Sequence, residues 1–232
     1  MAQQIMKSTS FQPSTMTFSK FRKNKRGGGT LYINGPENKK KYIQLPYMRA
    51  PFGVSSFTDD ATGNTSYSIP LSFDNNNPEL CEFQTKMEEF DNQICDMVAK
   101  NSKEWLGKQY NIAVIKEALY KPMVVPGKTV NDTTYSPTMK LKVLYNKNKE
   151  EFESEAYNSA RERIAVDSIE KSQKVMAIID INQIWFIDNK FGVSMRFQQG
   201  IVEESQKLPS FAFQGLDDVD DAEEEEDDVD FE

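Results

Sequence analysis

The chain has 232 residues, with 28 Lys or Arg against 36 Asp or Glu, a net charge of −8 and no histidine. Without histidine, Ser-His-Asp and Cys-His catalysis, the usual zinc ligand sets and the commonest general base are all excluded. The carboxylates that remain cluster at the C-terminus or scatter along charged stretches, so the chain reads as a non-enzyme with no catalytic residue, metal or cofactor.

Residues 1–29 read as a basic, polar, flexible arm. Their opening, MAQQIMKSTS, lacks the apolar stretch of a secretory signal. Up to Arg49 the chain carries ten Lys or Arg and one acid, Glu37. Phe18 and Phe21 lie among Lys20, Arg22, Lys23, Lys25 and Arg26, an interleaving of rings and cations that suits bases and phosphates. A solvated basic arm is the plainer reading of any single residue there. Thr30 to Asn34 predicts a short strand, GPEN a turn, and Lys41 to Leu45 the returning strand. LPYMRAPFGVSSF follows, with Tyr47, Arg49, Phe52 and Phe57 between prolines and a glycine, too irregular for a helix and compatible with a bulged edge strand.

Ser66 to Phe73 alternates, with Tyr67, Ile69, Leu71 and Phe73 on one face of a half-buried strand. Asn77-Pro78 then opens a helix. Leu80, Phe83, Met87, Phe90, Ile94 and Met97 form one apolar stripe along about twenty residues or more, best read as a helix packed on a sheet. Cys81 and Cys95 fall on that helix, about 21 Å apart at 1.5 Å per residue, beyond disulfide reach and consistent with a reducing compartment. Residues 104–136 predict loops and short strands. PGKT at 126–129 is not a phosphate loop, because the pattern needs glycine at position 122, which is Pro.

PTMKLKVLY (137–145) alternates again. Met139, Leu141 and Val143 face inward, and Lys140 and Lys142 share the other face about 7 Å apart, a spacing that fits successive phosphates of an extended strand. A solvated sheet face explains the two lysines equally well from this strand alone. Residues 146–173 are charged in both signs and read as a long mobile connection. Lys174 to Asp188 and Phe191 to Glu203 predict a long terminal hairpin turning at Asp188-Asn189-Lys190, with Gly192 marking a bulge or a close approach. Trp185 and Phe186 point to opposite faces, so one ring packs inward and the other is free to stack.

The last sixteen residues, 217–232, hold twelve acids, no base and the near-terminal Phe231. Such a run cannot offset its own ordering entropy and reads as a disordered acidic tail. Without those twelve acids the body carries 28 bases against 24 acids, so a mildly basic body carries its own polyanion. The fold class is therefore all-β with one prominent helix: a five-stranded OB-type barrel with an inserted helix (30–215), the arm (1–29) and the tail (216–232). OB domains bind single strands by joining a basic groove to rings on which bases stack.

IQLPYMRAPFG (43–53), LSFDNNNPELCEF (71–83), PTMKLKV (137–143) and QIWFIDNKFGVSMRFQQ (183–199), in that order and followed by the acidic tail, resemble the single-stranded DNA-binding proteins of T-odd podoviruses and of nucleocytoplasmic large DNA viruses. The resemblance implies a homodimer that coats unwound DNA in viral replication, recombination and repair. It implies basic strand-face residues at Lys140 and Lys142 and a groove ring at Trp185. It also implies a tail, with Asp227, Asp228, Asp230 and Phe231, that competes with DNA and recruits viral DNA polymerase and other replication proteins. In those phage proteins the aromatic ends the chain, whereas Glu232 follows it here. Arg196, Arg22, Lys23 and Arg49 complete the candidate phosphate ligands, and Tyr47, Phe52 and Tyr145 the candidate rings. The expected setting is intracellular, in host cytoplasm or nucleus, and away from membranes. The alternative is an acidic-tailed interaction protein or chaperone of basic proteins.

Overall fold

The terminal hairpin and the long helix organise the chain, and the computed structural model describes residues 5–25, 28–204 and Ala212. The principal strands are β1 (Gly29–Asn34), β2 (Tyr42–Arg49), β3 (Asn64–Ser72), β4 (Thr138–Val143), β5 (Lys174–Ile187) and β6 (Lys190–Val202), with the helix α1 (Pro78–Trp105) between β3 and β4. Strands β5 and β6 are joined at Asp188-Asn189, whose φ angles of +49° and +60° lie in the left-handed region that short polar side chains tolerate.

Backbone pairing closes on itself. Strand β2 runs antiparallel to the first half of β5, β5 to β6, β6 parallel to β4, and β4 antiparallel to β3. Strand β3 returns to β2 through the pair Ser72 and Arg49. The circuit encloses Leu45, Met48, Ile69, Leu71, Met139, Leu141, Val143, Ile179 and Phe197, each no more than 2% exposed. Along β3 and β4 the inward residues are those that the period-two pattern selects. The second half of β5 leaves β2 and pairs with β1, from Gln183 against Tyr32 to Phe186 against Gly29. Register shifts at Ile178/Ile179 and Ile181/Gln183 bend the hairpin, and another lies where Pro46 interrupts β2.

Helix α1 starts where Asn77 accepts hydrogen bonds from the backbone of Glu79 and Leu80, a cap that contributes about 1 kcal/mol. It buries Leu80, Phe83, Met87, Phe90 and Ile94, and then Val98 rather than Met97, because a 3.6-residue period drifts off a strict three-four spacing. Phe73 and Phe83 stack with centroids 6.4 Å apart at its first turns. At its last turn Trp105 meets Phe186 and stacks on Phe21.

Two sequence expectations are corrected here. Residues 5–25 are not a free arm: Ile5–Lys7 pairs with β2, Thr17–Phe18 and Arg22–Lys23 pair with β1, and Phe11 is fully buried against Phe83 and Phe90. The basic residues made this segment look solvated, while Phe11 enters the core and Phe18 and Phe21 pack against it. Residues 146–173 are likewise not a mobile connection, since Ala156, Val166 and Ile169 are buried and Glu155–Tyr157 runs parallel to β6. The acidic tail lies outside the described residues.

Candidate nucleic-acid interface

Strands β4 and β6 pair only at Lys142–Arg196 and Val143–Phe197 before they diverge. The segment 120–125 fills the gap, with Tyr120 and Lys121 alongside Phe191 and Gly192, and Val124 and Val125 alongside Met139 and Thr138. Over this wedge lies an open groove of about 440 Å³. Lys121, Pro122, Met123 and Val125 line its floor, Lys140 and Lys142 stand on one side with Ser66, Ser68 and Phe57 beyond, and Trp185, Val193 and Ser194 form the other side. Phe57 is 67% exposed, on a strand (Ser55–Asp59) that pairs with β3.

Trp185 is held in place by its neighbours. It is in register with Gly192, and a Cβ at that glycine would stand 2.7 Å from the indole Cζ2, so the ring lies on bare backbone. The ammonium of Lys121 stands 5.7 Å from the indole centroid. Phe186, the next residue, turns inward to stack on Phe191. No described carboxylate forms an ion pair with Lys121, Lys140 or Lys142, so their charge is open to an anion.

The floor is tied to α1 through Asp91. Its carboxylate accepts the hydroxyl of Tyr120 and the backbone N–H of Met123 at 3.2 Å, fixing the residues on either side of Lys121. Burial pushes the Asp91 carboxyl up to about 6, against the lowering effect of those hydrogen bonds. Burial also drives the Tyr120 hydroxyl well above its ordinary range, with the Asp91 charge adding to it.

The structure thus brings Lys140, Lys142 and Trp185 together. Arg196 flanks them in register with Lys142, but it is half-buried opposite Asp180, which is 1% exposed and ion-paired to Lys40 at 3.0 Å. Tyr145 does not line the groove. It packs with Phe152 on Tyr67, whose ring does. Three candidates fall elsewhere. Tyr47 lies in a separate depression near Glu79, Arg49 donates to Ser172 at 2.8 Å where β2 meets β3, and Phe52 is 68% exposed in the following turn. Strand alternation could not show this, because which ring reaches the groove depends on which strand lies beside it. Arg22 and Lys23 sit on the edge strand beside β1, with the Arg22 guanidinium 5.9 Å from the centre of the Tyr32 ring. Asp227, Asp228, Asp230 and Phe231 lie outside the described residues.

Sequence reasoning singled out neither Lys121 and Phe57, which line the groove, nor Tyr32, which lies under the Arg22 guanidinium. Nothing in the sequence around Lys121 marks it. Phe57 stood in a segment with no readable period. Tyr32 alone carried a signal: it is the outward ring between inward Leu31 and Ile33.

A family model described as "Family of unknown function (DUF5871)" matches residues 75–215. No curated protein matches the chain by sequence. Among solved structures, the chain is similar to gp2.5, a single-stranded DNA binding protein encoded by bacteriophage T7. The identity is 13%, with 83% of this chain and 99% of that one covered and a TM-score of 0.43. It is also similar to a C-terminal truncation of the single-stranded DNA-binding protein from bacteriophage Enc34, at 11% identity, 84% and 98% coverage and a TM-score of 0.36.

Proposed function

We propose that this chain, which belongs to the family of unknown function DUF5871, binds single-stranded DNA without sequence preference and catalyses no reaction on it. The observation that carries this reading is the convergence of three cations without described acidic partners, Lys121, Lys140 and Lys142, with two accessible rings, Trp185 and Phe57, around one open groove. Cations neutralise phosphates, and a ring face accepts any unpaired base, at about 1–3 kcal/mol per stack. Duplex bases have their faces covered, so the rings favour single strands.

The closed circuit β2-β3-β4-β6-β5, with β4 parallel to β6, supports reading the fold as an OB-type barrel with α1 inserted between its second and third strands. In such barrels the second and third strands and the adjoining loops bind oligonucleotides. Lys140 and Lys142 stand on the third strand, Phe57 lies in the connection between the first two, and Trp185 lies near the turn joining the last two.

The acidic tail we take to be a tethered competitor for the groove and a handle for replication partners, such as a viral polymerase, in a homodimer that protects DNA during replication, recombination and repair. The charge division between body and tail supports the competitor role, and the sequence resemblance supports the rest.

The test is a salt titration of oligo-dT binding followed by tryptophan fluorescence. The expected result is quenching, a steep log–log salt slope and poor competition by duplex DNA. No binding to oligo-dT together with tight binding to basic proteins would replace this reading with that of an acidic-tailed interaction protein.

A further inference from the structure

The sheet face that bears the groove does not end at Trp185. Strand pairing sets Arg22, Thr30, Trp185, Gly192 and Lys121 in one cross-strand row, since Arg22 opposes Thr30, Thr30 opposes Trp185, Trp185 opposes Gly192 and Gly192 opposes Lys121. Directly paired residues share a face. Tyr32 is two residues beyond Thr30 on that face, opposite Gln183 and diagonal to Trp185. Diagonal partners on a sheet stand about 7–8 Å apart, roughly twice the 3.4 Å rise per nucleotide of a stacked strand. That interval suits consecutive nucleotides of a strand stretched across the sheet.

Tyr32 is poorly explained as a packing residue. It is 41% exposed while its neighbours Leu31 and Ile33 are at most 4% exposed, and among the described residues its ring meets the guanidinium of Arg22. Around it, Lys20, Arg22 and Lys23 form no ion pair with a described carboxylate. The N-terminal segment is held in place by its own pairing and by Phe21, which stacks on Trp105 at 5.5 Å, so these cations belong to the ordered sheet face.

We propose that Tyr32 and Arg22 form a second nucleobase subsite, which continues the strand path from Trp185 over β1 and onto the edge strand. Tyr32 stacks a base, and Arg22 neutralises an adjoining phosphate while covering the ring's other face. The proposal rests on the groove reading above and specifies where the bound strand goes when it leaves the groove. It gives the paired N-terminal segment a function: together with β1 it widens the binding face by two strands.

The experiment compares full-length chains carrying Tyr32→Ala, Tyr32→Phe, Arg22→Ala and Trp185→Ala, using oligo-dT of about 4 and about 16 nucleotides, the range of site sizes for one such domain. The expected result for Tyr32→Ala is a loss of about fivefold or more on the long oligonucleotide, as one stack predicts. The short one, which the groove alone accommodates, should lose under twofold, and the thermal midpoint should not move. Tyr32→Phe should restore long-oligonucleotide affinity, and Arg22→Ala should reduce the salt slope on the long oligonucleotide only. Unchanged affinity of Tyr32→Ala at both lengths, or an equal loss at both, would overturn the subsite while leaving the groove intact if Trp185→Ala still weakens binding. Failure of the unaltered chain to bind either oligonucleotide would overturn both.

Discussion

The indole of Trp185 lies on the backbone of Gly192, so close that a methyl group on the glycine would stand 2.7 Å from ring carbon Cζ2. A long hairpin strand has here given up a side chain where the opposite strand sets an indole at the groove. Substituting Gly192→Ala should push the ring out of its place over the groove while leaving the Lys140 and Lys142 side chains where they are. The expected effect is a loss of oligo-dT affinity approaching that of Trp185→Ala, about 5- to 150-fold for one stack of 1–3 kcal/mol, with an unaltered salt slope. Undiminished affinity and quenching in Gly192→Ala would show that the ring's pose is not what the DNA reads.

Lys140 and Lys142 project from the same face of β4 into the groove, and each should answer for one phosphate. Replacing either with alanine should lower the log–log salt slope by about 0.7, the increment for one neutralised phosphate on a single strand. The double variant should lose about twice that. Both side chains are exposed, so folding stability should change by less than about 0.5 kcal/mol. A slope that does not move would assign the two lysines to a solvated sheet face.

Deleting residues 217–232 removes twelve acids from the chain. A flexible segment of that length has an r.m.s. span of roughly 20–24 Å, enough to reach a groove on its own or a neighbouring subunit. The truncated chain should bind oligo-dT more tightly, most clearly at low salt where charge competition is least screened. Equal or weaker binding after truncation would end the competitor role.

Asp91 makes stability depend on pH in a direction opposite to that of an ion-paired carboxylate. Burial raises its pKa from 3.8 to about 6, so the folded chain holds the proton more tightly than the unfolded one. Its contribution is therefore complete below 3.8 and is lost as pH rises through about 6. Thermal midpoints of the unaltered chain and of Asp91→Asn, taken from pH 4 to 7, should diverge in that window, the unaltered chain losing ground as pH rises. Parallel curves would refute the assignment. Because Asp91 also fixes the segment that carries Lys121, Asp91→Asn should weaken oligo-dT binding less in a Lys121→Ala background than in the unaltered one.

Much of this protein is decided by local pattern. The three-four stripe on α1 and the period-two alternation on β3, β4 and the terminal hairpin bury a predictable set of residues, because side-chain direction in a helix or strand follows from backbone geometry alone. Those same patterns placed Lys140 and Lys142 outward and set Trp185 and Phe186 on opposite faces, without deciding which of the two rings faces in. The absence of histidine and the division of charge between body and tail are likewise complete in the composition. Tertiary structure decided which outward residues share one surface. Tyr47, Phe52 and Arg49 satisfy the same local criteria as Trp185 yet face elsewhere, while Lys121 and Phe57 enter the groove from segments with no periodic signal. Register between strands more than sixty residues apart is set by the packing of the whole core, not by the residues being paired. So the two rings and the hairpin that sets Gly192 opposite Trp185 could be read locally, but which ring faces the groove, the lysine beside it and Tyr32 on the next strand were decided only when the chain closed.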